Sequence, residues 1–187
     1  MSRFSTLKRL AAATALLTVA VPPASATTWS VDKDASSVNF VAQQNGAPLE
    51  GRFQDWSADI TLDLDALDAA TISATVRPGS AQTGQSQVDQ TLPGAAWFAA
   101  SSFPEATFTS SDIVSTGDNA YEARGTLTIK GKSEPFTLPF TLAIDGDSAH
   151  AQASVSLARL VFGVGTDVSP PAVADPVTVN IDITATR

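Results

Sequence analysis

The sequence predicts an all-β protein: an antiparallel barrel of about eight strands with short helical segments capping one end. Three observations predict it. Apolar and polar residues alternate with a period of two along most of the chain, turn residues punctuate the alternation at short intervals, and one stretch, 81–102, loses that period altogether. Successive side chains of a strand point to opposite faces, so each alternating run has one apolar face to bury. A sheet of about eight such strands buries those faces, and loses its edges, by closing on itself.

The first 26 residues stand apart. Arg3, Lys8 and Arg9 form a basic start, Leu10 to Val21 is almost wholly apolar or small, Pro22 and Pro23 break the run, and Ala24-Ser25-Ala26 follows. These are the parts of a secretory signal peptide, predicted to be cleaved after Ala26. The apolar run is shorter than the roughly 20 residues that span a bilayer, and no cysteine follows it to carry a lipoprotein anchor. The expected organisation is a signal peptide over 1–26 and a single domain over 27–187, exported from the cytoplasm.

Composition narrows the function. The chain of 187 residues carries 11 Lys+Arg and 19 Asp+Glu, a net charge of −8. Losing three basic and no acidic residues with the signal takes this to −11. That charge repels phosphate backbones, so nucleic acid is not an expected partner, and it disfavours docking on anionic membranes. A domain of this size buries roughly 70% of its unfolded surface and needs no staples. The lack of cysteine removes thiol nucleophiles, redox pairs and thiolate metal sites.

The alternating runs follow in order. Val38, Phe40 and Ala42 form the first; Ile60, Leu62 and Leu64 the next; then Ile72, Ala74 and Val76. Leu127 and Ile129 alternate with threonines. Phe136, Leu138, Phe140, Leu142 and Ile144 make the longest ladder. Ala151, Ala153, Val155 and Leu157 come next, and Val177, Val179, Ile181 and Ile183 close the chain. Asn45-Gly46, Pro78-Gly79, Gly117-Asp118-Asn119 and Asp145-Gly146-Asp147 are the strongest turn signals, and Lys130-Gly131-Lys132 reads as a further tight hairpin. Pro139 has no N–H to donate, which predicts a bulge or a locally unpaired position inside the longest ladder. In the aperiodic stretch, Val88 and Leu92 stand four apart, Pro93-Gly94 interrupts, and Ala95 to Ala100 favours helix. One or two helical turns crossing a barrel end are expected, with Trp97 and Phe98 pointing into the mouth.

Several motifs stand in a fixed order: Trp29-Ser30-Val31-Asp32, Ser37-Val38-Asn39-Phe40, Gly51-Arg52-Phe53, Asp89-Gln90-Thr91-Leu92, Trp97-Phe98, Phe103-Pro104-Glu105-Ala106-Thr107-Phe108, Gly125 to Gly131, and Phe162-Gly163-Val164-Gly165. In this order and spacing the chain resembles the YceI-like family of periplasmic polyisoprenoid-binding proteins over essentially its whole mature length. The resemblance implies a lipocalin-like barrel enclosing an isoprenoid chain in an elongated tunnel, without assigned chemistry. Some members are dimers, and some are linked to stress responses or membrane-bound b-type cytochromes. A second copy and such a cytochrome are thus the partners it implies, besides the lipid. The chain departs from the family pattern at Val161, where an acidic or polar residue commonly precedes Phe-Gly. That barrel end is therefore expected to be more apolar.

The interior can be furnished from the runs. The expected tunnel lining is Phe40, Ile60, Leu62 and Ile72 from the first half, and Val88, Leu92, Trp97 and Phe98 from the cap. Phe108, Leu127, Ile129, Phe136, Leu138, Phe140, Leu142 and Phe162 complete it. Small residues on the same faces (Ala42, Ala74, Ala123, Gly125, Ala151, Ala153) either leave volume open or allow close packing of a tapered core. The residues alone favour packing; the resemblance favours a tunnel holding a polyisoprenoid or isoprenoid quinone. A packed barrel would instead be an interaction module, for example beside a membrane redox protein. Arg52, Asp89 and Arg159 are candidates to meet a polar head group at the mouth.

Enzyme readings find little support. His150 is the only histidine and lies in a predicted strand. There is no G-x-S-x-G elbow and no H-E-x-x-H. The acidic run from Asp63 to Asp68 lacks the Gly and Glu that a calcium loop needs at its sixth and twelfth positions. Gly163 and Gly165 sit in no strand-to-helix unit of a dinucleotide fold and read as a bulge or a close backbone approach. No catalytic residue, metal ligand or cofactor other than a bound lipid is expected.

Overall fold

The computed structural model describes residues 27–187; the segment read as a signal peptide lies outside the described residues. The strands are β1 (Thr28–Gln44), β2 (Ala47–Phe53), β3 (Trp56–Thr61), β4 (Thr71–Val76), β5 (Ala81–Gln82), β6 (Ala106–Gly117), β7 (Ala120–Ile129), β8 (Lys132–Asp145), β9 (Ser148–Ala158) and β10 (Pro176–Thr186). One short helix, α1 (Ser86–Thr91), lies between β5 and β6. All pairings are antiparallel, and β10 returns to pair with β1, closing an eight-stranded barrel. Consecutive strands β2 and β3 share one place in the wall: β3 pairs with the start of β1, β2 with its end.

Turn chemistry fixes the hairpins. Asn45-Gly46 and Lys130-Gly131 are two-residue turns with both residues at positive φ (50° and 79°, 49° and 74°). Those turns match the twist of the strands they join. Gly146, φ 58°, opens the β8–β9 hairpin.

The two barrel ends differ. At one, Trp29, Leu62, Tyr121, Phe140, Leu142 and Ala185 pack into a buried plug. The Trp29 indole Nε1 donates to the Leu62 carbonyl at 2.9 Å, and Tyr121 stacks on Phe140 with ring centroids 5.5 Å apart. At the other end, α1, the turns from Pro93 to Ser102 and the segment 159–175 cross the opening.

Three strand expectations are changed or narrowed. The run through Leu64 ends early: β3 stops at Thr61, Leu62 is buried in the plug, and Leu64 is exposed in the acidic turn. Of the two outcomes expected at Pro139, the bulge does not form, since Pro139 faces Glu122 across an unbroken β7–β8 register, and the locally unpaired position does. What it lacks is a partner on its other side, because pairing of β8 with β9 begins only at Thr141. The wall also includes β6, a strand without clean alternation, because a register shift between Ser110 and Asp112 reverses its faces.

Candidate functional site

The alternating faces enclose one long apolar cavity of about 690 Å³ between the plug and the capped end. The barrel interior is therefore not filled by its own side chains. Its wall is built by the pleat: Val38, Phe40 and Ala42 from β1, Ile72, Ala74 and Val76 from β4, Phe136, Leu138 and Phe140 from β8, and the odd residues of β9 and β10. Aromatic rings and alanines face each other, and this contrast in size leaves the volume. Phe108 and Phe136 meet edge-on at 6.1 Å, while Ala58 pairs with Ala74 on the next two strands.

All sixteen residues expected to line a tunnel border this cavity. Those of the cap come from different turns: Val88 sits on α1, Leu92 is its C-terminal cap, and Trp97 and Phe98 follow in the turns after Pro93. Phe98 packs edge-on against Phe53, which tilts against Phe40 at 5.2 Å. The sequence reading missed Trp29, Phe53 and Trp56 as lining, although Trp56, Ala58 and Ile60 keep a period of two. It also left Val177 to Ile183 as a strand without assigning its inner face to the cavity.

The three head-group candidates do not come together. Arg52 is exposed on the outer face, beside Gln82 across β2 and β5. Asp89 accepts hydrogen bonds from the Thr83 backbone N–H and hydroxyl, both at 2.7 Å. Those bonds, the hydroxyl's first, hold its carboxyl below the usual value. Its job is to fix the turn before α1. Only Arg159 reaches the cavity, and it is 5% exposed. Its guanidinium donates to five backbone carbonyls, those of Val164, Gly165, Val168, Val173 and Ala174, at 2.6 to 3.0 Å. A guanidinium has five N–H donors, so none is left for a ligand. Arg159 instead ties the 160–175 segment across the barrel end.

This tie explains the glycines after it. Gly165 has φ 62°, and a β-carbon there would lie 2.9 Å from both Arg159 Nη1 and Trp97 Cζ3. The close backbone approach expected of Gly165 is thus toward Arg159. Val161 points outward, 48% exposed, so the apolar character it adds lies on the outer rim. Apart from Arg159, the polar residues bordering the cavity at the capped end are uncharged: Gln44, Asn45, Gln85, Gln87 and Thr91. His150 stands on the outer face of β9, with Nε2 2.8 Å from Asp182 Oδ1.

Fold and site define a class: closed antiparallel β-barrels that enclose one elongated apolar cavity. Within that class the chain belongs to the YceI-like domain family, which matches residues 29–185. It is 30% identical over 151 residues to Protein YceI of Salmonella arizonae, covering 76% of this chain and 78% of that protein. Among solved structures, BcnA of Burkholderia cenocepacia is 34% identical with a TM-score of 0.81, covering 83% of this chain and 99% of the other. A polyisoprenoid-binding domain from Saccharophagus degradans shares the fold at a TM-score of 0.69 and 15% identity, over 84% of this chain and 97% of that domain.

Proposed function

We propose that the barrel binds and carries one long apolar lipid, a polyisoprenoid or isoprenoid quinone, in the periplasm, without catalysing a reaction on it. The observation that carries this reading is the cavity: about 690 Å³, within the range of ligand sites, and walled almost throughout by apolar side chains. Burial from water yields about 0.8 kcal/mol per CH₂, but the true competitor is the equally apolar bilayer. The net gain on leaving a membrane is therefore small, which suits reversible carriage.

The same wall bears on the head group. Its one charged side chain, Arg159, has every donor committed to the backbone. An anionic head drawn inside would find no counter-charge there, and burying an unpaired charge is costly. Amides such as Gln44 and Gln85 offer hydrogen bonds to an uncharged head instead. The signal-like N-terminus supports export, and the family resemblance supports a membrane b-type cytochrome as a quinone-using neighbour.

Organic extraction of the purified protein followed by mass spectrometry tests the reading. The expected result is an uncharged isoprenoid near one per chain, or uptake of added isoprenoid quinone by the extracted protein. A clean extract from several hosts, together with no uptake, would overturn it.

A further inference from the structure

The barrel wall has a seam. Strands β8 and β9 pair only between Thr141–Asp145 and Ser148–Gln152. Beyond that, β8 runs on from Pro139 back to Lys132 and β9 from Ala153 to Ala158, each still paired on its far side, to β7 and β10, but not to the other.

The sequence writes this separation in. Along a strand, successive N–H groups point to opposite neighbours. Leu142 N–H donates toward β7, to the Asn119 carbonyl, so even-numbered residues of β8 serve β7 and odd-numbered ones face β9. Pro135 and Pro139 are both odd. They remove donors from the side that would have to meet β9, and leave the β7 ladder intact.

Behind the seam lies the cavity. Phe136 and Leu138 on one bank and Ala153, Val155 and Leu157 on the other all border it. So does Gln152, the last paired residue of β9, although its side chain is outside on Asp182. At the foot of the seam, where β8 begins with the exposed Lys132, Ser133 and Glu134, two apolar side chains also reach the surface. Phe103 packs where a β-carbon on Gly131 would stand, and the exposed Val161 gives its carbonyl to Lys132 Nζ. Phe103 and Val161 are two of the three exposed large apolar residues among those described.

The wall has a second interruption, between β1 and β3, where pairing stops after Trp29–Ile60. That one is stoppered. Trp56 fills it from inside at 7% exposure, and Lys33 Nζ sits 3.8 Å over the Trp56 ring. Along the β8–β9 seam the inward-facing side chains, Phe136, Leu138, Ala153, Val155 and Leu157, are only partly buried.

We propose that the β8–β9 seam is a lateral portal, through which the apolar chain enters and leaves the cavity sideways instead of threading end-on past α1. The portal spares a long chain from passing its full length through the capped end. It lets methylene groups move from an apolar donor phase to the cavity across the apolar lip at Phe103 and Val161. This inference rests on the reading that the cavity holds an apolar lipid.

The chain has no cysteine, so introduced pairs are unique. Pro139→Cys with Ser154→Cys places thiols on opposite banks of the seam, to be bridged by a short flexible bis-maleimide. Ser30→Cys with Asp59→Cys bridges the stoppered interruption as the comparison. The extracted protein is mixed with phosphatidylcholine vesicles carrying a long-chain isoprenoid quinone. Uptake is followed through quenching of Trp29, Trp56 and Trp97, all of which border the cavity. The seam bridge is expected to slow both filling and release about tenfold or more, and the comparison bridge to leave both unchanged. A second variant, Pro135→Thr with Pro139→Thr, restores the missing donors. It is expected to protect the amides of Ser154 and Ser156, which face β8, from hydrogen exchange and to slow filling. Filling at the unbridged rate in the bridged seam variant overturns the portal while lipid carriage stands. No filling of the unmodified protein overturns carriage itself.

Discussion

The Phe40 ring lies over Gly51, its direct partner across β1 and β2, and occupies the place where a β-carbon on Gly51 would stand. Phe40 is the hinge between wall and cap, since it also meets Phe53, which meets Phe98. Gly51→Ala is therefore expected to push the ring toward the cavity and destabilise the fold by about 1–3 kcal/mol, as overpacking does. Chemical denaturation checks the loss. Restoring stability by adding Phe40→Leu to Gly51→Ala would place the effect at this contact.

Arg159 is expected to be structural. Replacing it with Met leaves five carbonyls to find new partners, several of them buried. At about 1–3 kcal/mol for each buried group left unsatisfied, the total loss should exceed about 3 kcal/mol. Lys should recover part of it, since an ammonium has three donors against five. Melting temperatures of the two variants give the comparison; an Arg159→Met variant as stable as the parent would contradict the hydrogen-bond account.

The outer face of β9 and β10 carries a pH-sensitive carboxylate, Asp182. Gln152 Nε2 donates to Asp182 Oδ2 at 2.7 Å, and His150 meets Oδ1 at 2.8 Å. The Gln152 amide foremost, and His150 after it, hold the Asp182 carboxyl below its ordinary value of 3.8 against the opposing effect of burial. A carboxyl lowered on folding stabilises the fold above its unfolded value, and the gain is lost as pH falls through the folded one. Asp182 is well exposed, so the gain is expected below about 1 kcal/mol. Asp182→Asn should thus melt slightly earlier than the parent at neutral pH, with the gap closing below pH 3.8. His150→Ala should leave lipid uptake unchanged, because its ring lies outside the barrel; lost uptake would argue for a role the structure does not give it.

Much of this architecture is legible in the residues, where the chain obeys one period. The β8 ladder from Phe136 to Ile144 alternates without a fault, so its inner face could be named directly. Strand β6 hides because Phe108 and Ile113, both buried, stand an odd five residues apart. The register shift between Ser110 and Asp112 turns the strand over between them, and a rule of two cannot see across it. Arg159 misleads for another reason. A lone arginine near a barrel end suggests an anion, yet the partners that claim it are backbone carbonyls of 164 to 174, which carry no sequence signature. Pro139 was visible as a missing donor, but which neighbour loses the bond depends on strand parity and on where β9 leaves β8.

Ala74 tests whether open volume is what the wall provides. It borders the cavity on β4, opposite Ala58 on β3 and Phe108 on β6. Ala74→Phe grows a ring toward the open volume that Ala74 borders, so it should cost the fold little. The same ring displaces part of the guest. If two or three methylene groups are excluded, at about 0.8 kcal/mol each, binding weakens by roughly 10- to 60-fold. The expected result is an unchanged or higher melting temperature in the extracted protein, with isoprenoid quinone binding weaker by that factor in a titration of tryptophan quenching. Unaltered affinity in a folded Ala74→Phe variant would mean that the guest does not use this part of the cavity. A large fall in stability would mean that the wall is packed more tightly than the 690 Å³ of open volume allows.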